Sequence, residues 1–328
     1  MCLPRYSAAN PFTLAEVAGD GSVTAFPDAE MNRPDPGRPD QTLFSTLNCV
    51  PDRRGRLWIL DSGQATTAEP VTQGAAKLVC VDLATNEVVR TVPLSSVTSE
   101  KASPNDLVIW HDPAGEPVRA YISDQGRGGQ GALIAVDLTT GRVVRRLAEH
   151  ASTASQPGGV LRIMEGRHVL LRSADGASRP LLGGANAIAL SPDGMHLYYG
   201  PIASRRAYRI DTGRLLDPSA SDADLAATVV DLGEKGATAG MITDALGRIY
   251  LSLQEFNAVG RRELDGTITV LDDDPRLIWP DTFSITDDGW LYVTAAQANR
   301  RPEFNGGVDQ QKPPYGIFRI RIGAGPAT

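Results

Sequence analysis

A turn of the Asp-x-x-Gly kind followed by a short apolar strand recurs five times in this chain, and this repeat limits the fold more than any other feature. It reads Asp52-Arg-Arg-Gly55 before residues 56–61, and Asp112-Pro-Ala-Gly115 before 118–124. It returns as Ser191-Pro-Asp-Gly194 before 196–199, Asp244-Ala-Leu-Gly247 before 248–252, and Asp287-Asp-Gly289 before 290–294. A glycine ends each turn because it reaches positive φ at little steric cost. A second unit follows most of these. Residues 77–90 match 132–145 closely, each reading strand, tight polar turn, strand, and residues 206–216 and 261–271 are shorter copies. Residues 316–322 form a final half copy.

Each full unit therefore supplies an inner pair of strands and an outer hairpin, at a spacing of roughly 40–60 residues that is typical of propeller blades. The 33 glycines and 23 prolines of the 328 residues suit many short strands. Only residues 223–230 offer even one helical turn. Five units are clear, and the segment before Asn48 is expected to donate strands to a sixth that the C-terminal strand closes. The predicted architecture is all-β: a six-bladed β-propeller of four-stranded antiparallel blades around a central tunnel, its N-terminal blade incomplete. No linker divides the repeats, so 1–328 reads as one domain.

Charge narrows the partners. With 39 acidic against 32 basic residues, net −7, the chain disfavours nucleic acid. No run of 18 apolar residues predicts a membrane span. Cys2, Cys49 and Cys80 close at most one disulfide and offer no zinc spacing. The first residues lack the pattern of a secretion signal, so the sequence as it stands predicts a cytoplasmic protein, or a secreted one if the natural chain starts earlier. The expected partner is a small molecule.

The repeat also predicts where chemistry sits. Asn48 lies four residues before Asp52, Asn105 and Asp106 shortly before Asp112, Asn186 seven before Asp193, and Asp281 six before Asp287. Thr238 and Gly240 hold the corresponding place before Asp244. Equivalent positions of successive blades converge on the axis, so these residues should ring one tunnel mouth. Asp106 and Asp281 are the candidate catalytic acid and base, because desolvation would raise a carboxyl toward the working pH. Asn48, Asn105, Asn186 and Thr238 would orient ligand oxygens. No cofactor is required, although Asn105, Asp106, Asn186 and Asp281 could hold Ca²⁺ through oxygen. For each residue the alternative is strand capping, and Asp61 and Asp124 read as turn caps of that kind. Gln254 and Asn257 follow an inner strand and could line the mouth, with Phe256, Trp279 or Phe304 as a stacking wall. No Gly-x-Ser-x-Gly occurs, and no histidine has a nucleophile at recognisable spacing.

Several stretches resemble the yellow/major royal jelly protein family, in a bacterial-type form. They are Leu3-Pro-Arg-Tyr6 with Pro11-Phe-Thr-Leu-Ala15, Phe26-Pro-Asp28, Gly55-Arg-Leu-Trp-Ile-Leu-Asp-Ser-Gly63, and Tyr121-Ile-Ser-Asp124. Ala187-Ile-Ala-Leu-Ser-Pro192, Leu197-Tyr-Tyr-Gly-Pro-Ile-Ala-Ser204, Phe256-Asn-Ala-Val259 and Trp279-Pro-Asp281 complete the set. The resemblance implies a six-bladed propeller with a ligand site at one tunnel end. Its members include dopachrome-converting enzymes, amine binders and nutritive proteins. The polar ring is also similar to that of the senescence-marker/gluconolactonase propellers, with Asn48 where their Glu stands and Gly240 as a gap. Three functions stay open: isomerisation, decarboxylation or hydrolysis of a small cyclic or aromatic metabolite; amine or aromatic binding without turnover; and calcium-dependent lactone hydrolysis.

Overall fold

A computed structural model describes residues 1–6 and 10–327. Five antiparallel sheets form the blades of a propeller, each built from strands in chain order. Blade 1 comprises Thr46–Pro51, Arg56–Asp61, Lys77–Asp82 and Val88–Pro93. Blade 2 comprises Pro104–His111, Pro117–Asp124, Ala132–Asp137 and Val143–Arg146. Blade 3 comprises Ala185–Leu190, His196–Pro201, Arg206–Asp211 and Val230–Glu234. Blade 4 comprises Met241–Thr243, Ile249–Leu253, Ala258–Arg262 and Ile268–Asp273. Blade 5 has three strands, Pro280–Ile285, Trp290–Ala295 and Gly316–Arg321.

Strand periodicity explains the stacking. In the third strand of blade 2, Ile134 and Val136 pack toward Leu60, Leu78 and Cys80 of blade 1. The alternate residues Leu133 and Ala135 pack toward Ile188, Leu197 and Tyr199 of blade 3. Successive side chains of a strand point to opposite faces, so a sheet between two sheets must be apolar at every position. Tyr250 and Val259 meet Phe283, Leu291 and Val293 in the same way between blades 4 and 5.

The expected sixth blade is not formed: among the described residues the propeller has five. Before Thr46 the strands are Ala15–Val17 and Val23–Ala25, which pair with each other. The free face of blade 1, presented by Ile59, Val79 and Val81, is instead covered by Leu14, Met31 and Leu43 of this N-terminal segment. A coil with a small hairpin thus buries the apolar face that another sheet would have buried. The C-terminal strand pairs with Trp290–Ala295 and completes blade 5. The one α-helix, among the described residues, is Asp222–Ala226, held by a capping box between Ser221 and Asp224.

The recurring turns are built alike. The Asp52 carboxylate accepts from the N–H groups of Arg54 and Arg56, and Asp244 accepts from Leu246 and Arg248. Asp61 and Asp124 are turn caps too: each accepts from a backbone N–H two residues on, at 3.0 Å. Asp61 also holds the buried Lys77 ammonium at 2.7 Å.

Between blades 2 and 3 the chain leaves the repeat. Two small hairpins, Ile163–Met164 with Arg167–His168 and Leu170–Arg172 with Ser178–Pro180, cross toward blades 3, 4 and 5. Met164 and Val169 pack there against Ile202, Ala239, Trp279, Ala298 and Phe304. Ala239 and Trp279 precede inner strands, whereas Ile202 and Ala298 follow second strands. This excursion therefore caps the propeller at the end where the inner strands begin.

Candidate functional site

The predicted polar residues fall where the inner strands are bulged. The register slips between Thr46 and Asn48 in blade 1, between Pro104 and Leu107 in blade 2, between Ala185 and Ala187 in blade 3, and between Pro280 and Phe283 in blade 5. Asn186 is the extra residue in its bulge, and the pairs Asn105–Asp106 and Asp281–Thr282 occupy theirs. A bulge breaks the inward–outward alternation and re-aims a side chain. Blade 4 has no bulge there. Its Gly240 packs so tightly that an added Cβ would lie 1.8 Å from the Asp281 carbonyl oxygen.

Hydroxyls at one repeat position on the second strands satisfy the backbone around these bulges. The Ser123 hydroxyl accepts from the Asp106 N–H at 3.1 Å and donates to the Asn186 carbonyl at 2.6 Å, tying blade 2 to blade 3. Ser252 accepts from the Gly240 N–H at 2.8 Å, and Thr294 from the Thr282 N–H at 3.2 Å. Sequence reasoning passed over these hydroxyls, although the Tyr-x-Ser and Tyr-x-Thr spacing in three units was a usable signal.

Asp106 is 9% exposed and accepts from the Asn48 amide at 2.9 Å. Burial, together with the Asp281 carboxylate, pushes its carboxyl up to about 8 against the opposing pull of Asn48. Asp281 is partly buried and accepts from the Trp279 indole N–H at 3.2 Å. Burial pushes it up to about 6, while the indole and the guanidinium groups of Arg301 and Arg162 pull it down. The two carboxyls therefore act on each other although they belong to blades 2 and 5. Neither has a cation within ion-pair distance among the described residues. The other buried aspartates do: Asp52 with Arg56, Asp61 with Lys77, Asp124 with Arg145 and Asp244 with Arg248.

The remaining predicted residues divide. Asn48 and Asn186 are at the site, and the Asn186 Oδ1 is buried without a partner. Asn105 is partly buried in the same bulge as Asp106. Trp279 is buried against Phe304 and holds φ at 53°, a left-handed conformation rare for an aromatic residue, which places its indole on Asp281. Gln254 is fully buried with both amide atoms unpartnered. Thr238, in contrast, spends its hydroxyl on the Lys235 carbonyl at 3.0 Å, and Asn257 forms a left-handed turn. Phe256 points outward, 65% exposed, and builds no stacking wall.

Other residues here lie outside the repeat and carried no sequence signal. Arg162, from the cap, stacks on Trp279 at 5.4 Å, and Arg301 covers Tyr6 at 3.7 Å. Tyr6 feels the charges of Arg301 and Asp281, so the N-terminal segment also reaches this mouth. No group of three or more His, Cys, Asp or Glu side chains fit for a metal lies among the described residues. The side-chain oxygens a hard cation would draw on remain those of Asn105, Asp106, Asn186 and Asp281.

Comparison with known proteins gives the family and supports the fold. The family described as major royal jelly protein matches residues 44–321. Major royal jelly protein 3 of Apis mellifera is 26% identical over 179 residues, which cover 54% of this chain and 30% of that relative. Among solved structures, a calcium-binding protein, regucalcin, from Agrobacterium tumefaciens superposes with a TM-score of 0.54 at 17% identity, covering 98% of this chain and 90% of its own. A gluconolactonase from Xanthomonas campestris reaches 0.50 at 14% identity, covering 86% and 75%. At these identities the structural likeness speaks for the propeller fold alone.

Proposed function

Because the chain belongs to the major royal jelly protein family and leaves two carboxyls of blades 2 and 5 without a cation and close enough for one to act on the other, we propose that it is an enzyme acting on a small cyclic or aromatic metabolite by acid/base chemistry. The observation that carries this reading is the contrast among aspartates. Among the described residues every other fully buried aspartate is neutralised by an arginine or lysine, whereas the buried Asp106 and the partly buried Asp281 meet only an amide and an indole. Burying carboxyls without counter-charge costs stability, so such a pair needs another reason to persist.

Environments that separate two carboxyls assign their roles. Between about pH 6 and 8, Asp106 is protonated and Asp281 ionised. Asp281 takes a proton from the substrate and Asp106 delivers one to a second position, which makes a tautomerisation or isomerisation balanced without a co-reactant. Asn48 holds the Asp106 carboxyl, Trp279 holds Asp281, and the cap covers Trp279 with Met164, Val169 and Arg162.

A second reading is a calcium-assisted, lactonase-like hydrolase, favoured by the Asn186 Oδ1, an oxygen donor left buried without a partner. Asn105, Asp106, Asn186 and Asp281 would hold the ion, which would polarise a lactone carbonyl when bound.

Turnover by the full-length protein on catechol-derived, lactone and amine panels tests these readings, with Asp281→Asn alongside. The expected result is loss of turnover with ligand retained. Activity lost to a chelator and restored by Ca²⁺ supports the second reading. Tight binding of panel compounds by the wild type with no turnover of any would mean a binding protein.

A further inference from the structure

Among the described residues the buried and half-buried cations mostly spend their donors; Arg5 leaves one nitrogen unpartnered, and Arg162 alone among the buried ones leaves two. The Lys77 ammonium donates to the Asp61 carboxylate and to three carbonyl oxygens. Lys235 donates to the carbonyls of Ser204 and Gly236, and Arg145 and Arg248 each meet an aspartate. Arg162 is 2% exposed, yet its one hydrogen bond among the described residues runs from Nη2 to the Ile202 carbonyl. Nε and Nη1 are buried without a partner, and no carboxylate of the described residues lies within ion-pair distance.

A guanidinium keeps its charge at any working pH, so it cannot relieve burial by losing a proton as a lysine can. Nearby acids do not complete it. Glu255 is spent on Arg205 at 2.6 Å and on the Ile163 N–H at 3.0 Å. Asp281 is near enough to feel the charge of Arg162 but not to touch it. The Trp279 ring, 5.4 Å away, fixes the plane of the guanidinium. The Ile163–Met164 strand that follows Arg162 touches the short turn bearing Gln254, whose amide oxygen and nitrogen are also buried and unpartnered. Unspent donors of the cap thus lie beside the Trp279–Asp281 pair, and the strand that bears them touches the blade 4 turn that carries the unspent Gln254 amide.

We infer that Arg162, with the Gln254 amide, forms an anion subsite that receives the carboxylate of a small cyclic or aromatic acid. The inference rests on reading the tunnel mouth as a small-molecule site and names its substrate class. A planar monoanion matches the guanidinium, whereas a dianion would meet repulsion from the Asp281 carboxylate. The cap then has a second role beyond covering Trp279: it contributes the residue that chooses the ligand.

Benzoate and its neutral isostere benzamide are the probes, with binding to the full-length protein followed by calorimetry and tryptophan fluorescence. The wild type should prefer benzoate by roughly tenfold or more, the scale of one charge-assisted hydrogen bond. Arg162→Gln should abolish that preference, while leaving benzamide binding within about threefold and the far-UV spectrum unchanged; Arg162→Lys should restore part of it. Equal wild-type affinity for the two probes, or no benzoate binding at millimolar concentration, overturns the subsite, and neither result needs a variant to fold. Arg162-dependent benzoate preference without turnover on any panel retains the subsite and removes the enzyme reading. Turnover that depends on Asp281 but ignores a carboxylate on the substrate does the reverse.

Discussion

Replacing Asp106 by asparagine should change how stability depends on pH, and this test needs no substrate. The carboxyl is pushed up to about 8 in the folded protein against 3.8 for an ordinary aspartate. A group whose folded value is raised stabilises most below its unfolded value, and that contribution fades as pH rises toward the folded value. Each unit of separation is worth about 1.4 kcal/mol. Between pH 5 and 8 the folded protein retains a proton that the unfolded chain has lost, so wild type should lose about 4 kcal/mol through this one group. Asparagine has no proton to lose, and its Oδ1 still accepts from Asn48. Urea unfolding of wild type and Asp106→Asn at pH 5, 7 and 9 measures the difference. The variant should be the more stable protein at pH 9, and its profile flatter by about 4 kcal/mol. Parallel profiles, within about 1 kcal/mol at all three pH values, would refute the claim that Asp106 is buried without a counter-charge.

Three further outcomes follow from the same geometry. Trp279→Phe removes the indole donor that favours ionised Asp281, so the acidic limb of the pH–rate profile should move up from about 6, by roughly half a unit to one unit. Gly240→Ala drives a methyl into the Asp281 backbone, which cannot yield, and should cost about 3 kcal/mol, read as a fall in the thermal midpoint. Lys77→Met leaves the Asp61 carboxylate buried and uncompensated, and urea titration at pH 7 should show a loss of about 3–5 kcal/mol.

How much of this was legible depends on whether a residue belongs to the repeat. Asn48, Asp106, Asn186 and Asp281 could be placed together because each precedes its turn by a similar distance, and a propeller converts equal spacing into a shared axis. Thr238 occupied a matching place and still serves only a backbone carbonyl, because blade 4 keeps its inner strand unbulged around Gly240. Spacing does not reveal a bulge. The blade number failed for a related reason: an apolar sheet face requires cover, but does not specify whether another sheet or a coil bearing Leu14, Met31 and Leu43 provides it.

Local patterning by itself determined the strands, their turns, the five units and the rough ring of polar side chains, since all of these are set by interactions among residues close in the chain. Tertiary structure alone decided that the ring stops at five, that two carboxyls are left without cations, and that Arg162 comes near one of them, Asp281, from a detour between blades. Those facts depend on what is brought beside each group from far along the chain. Desolvation and unpaired charge are properties of such neighbourhoods, not of the residue that carries them.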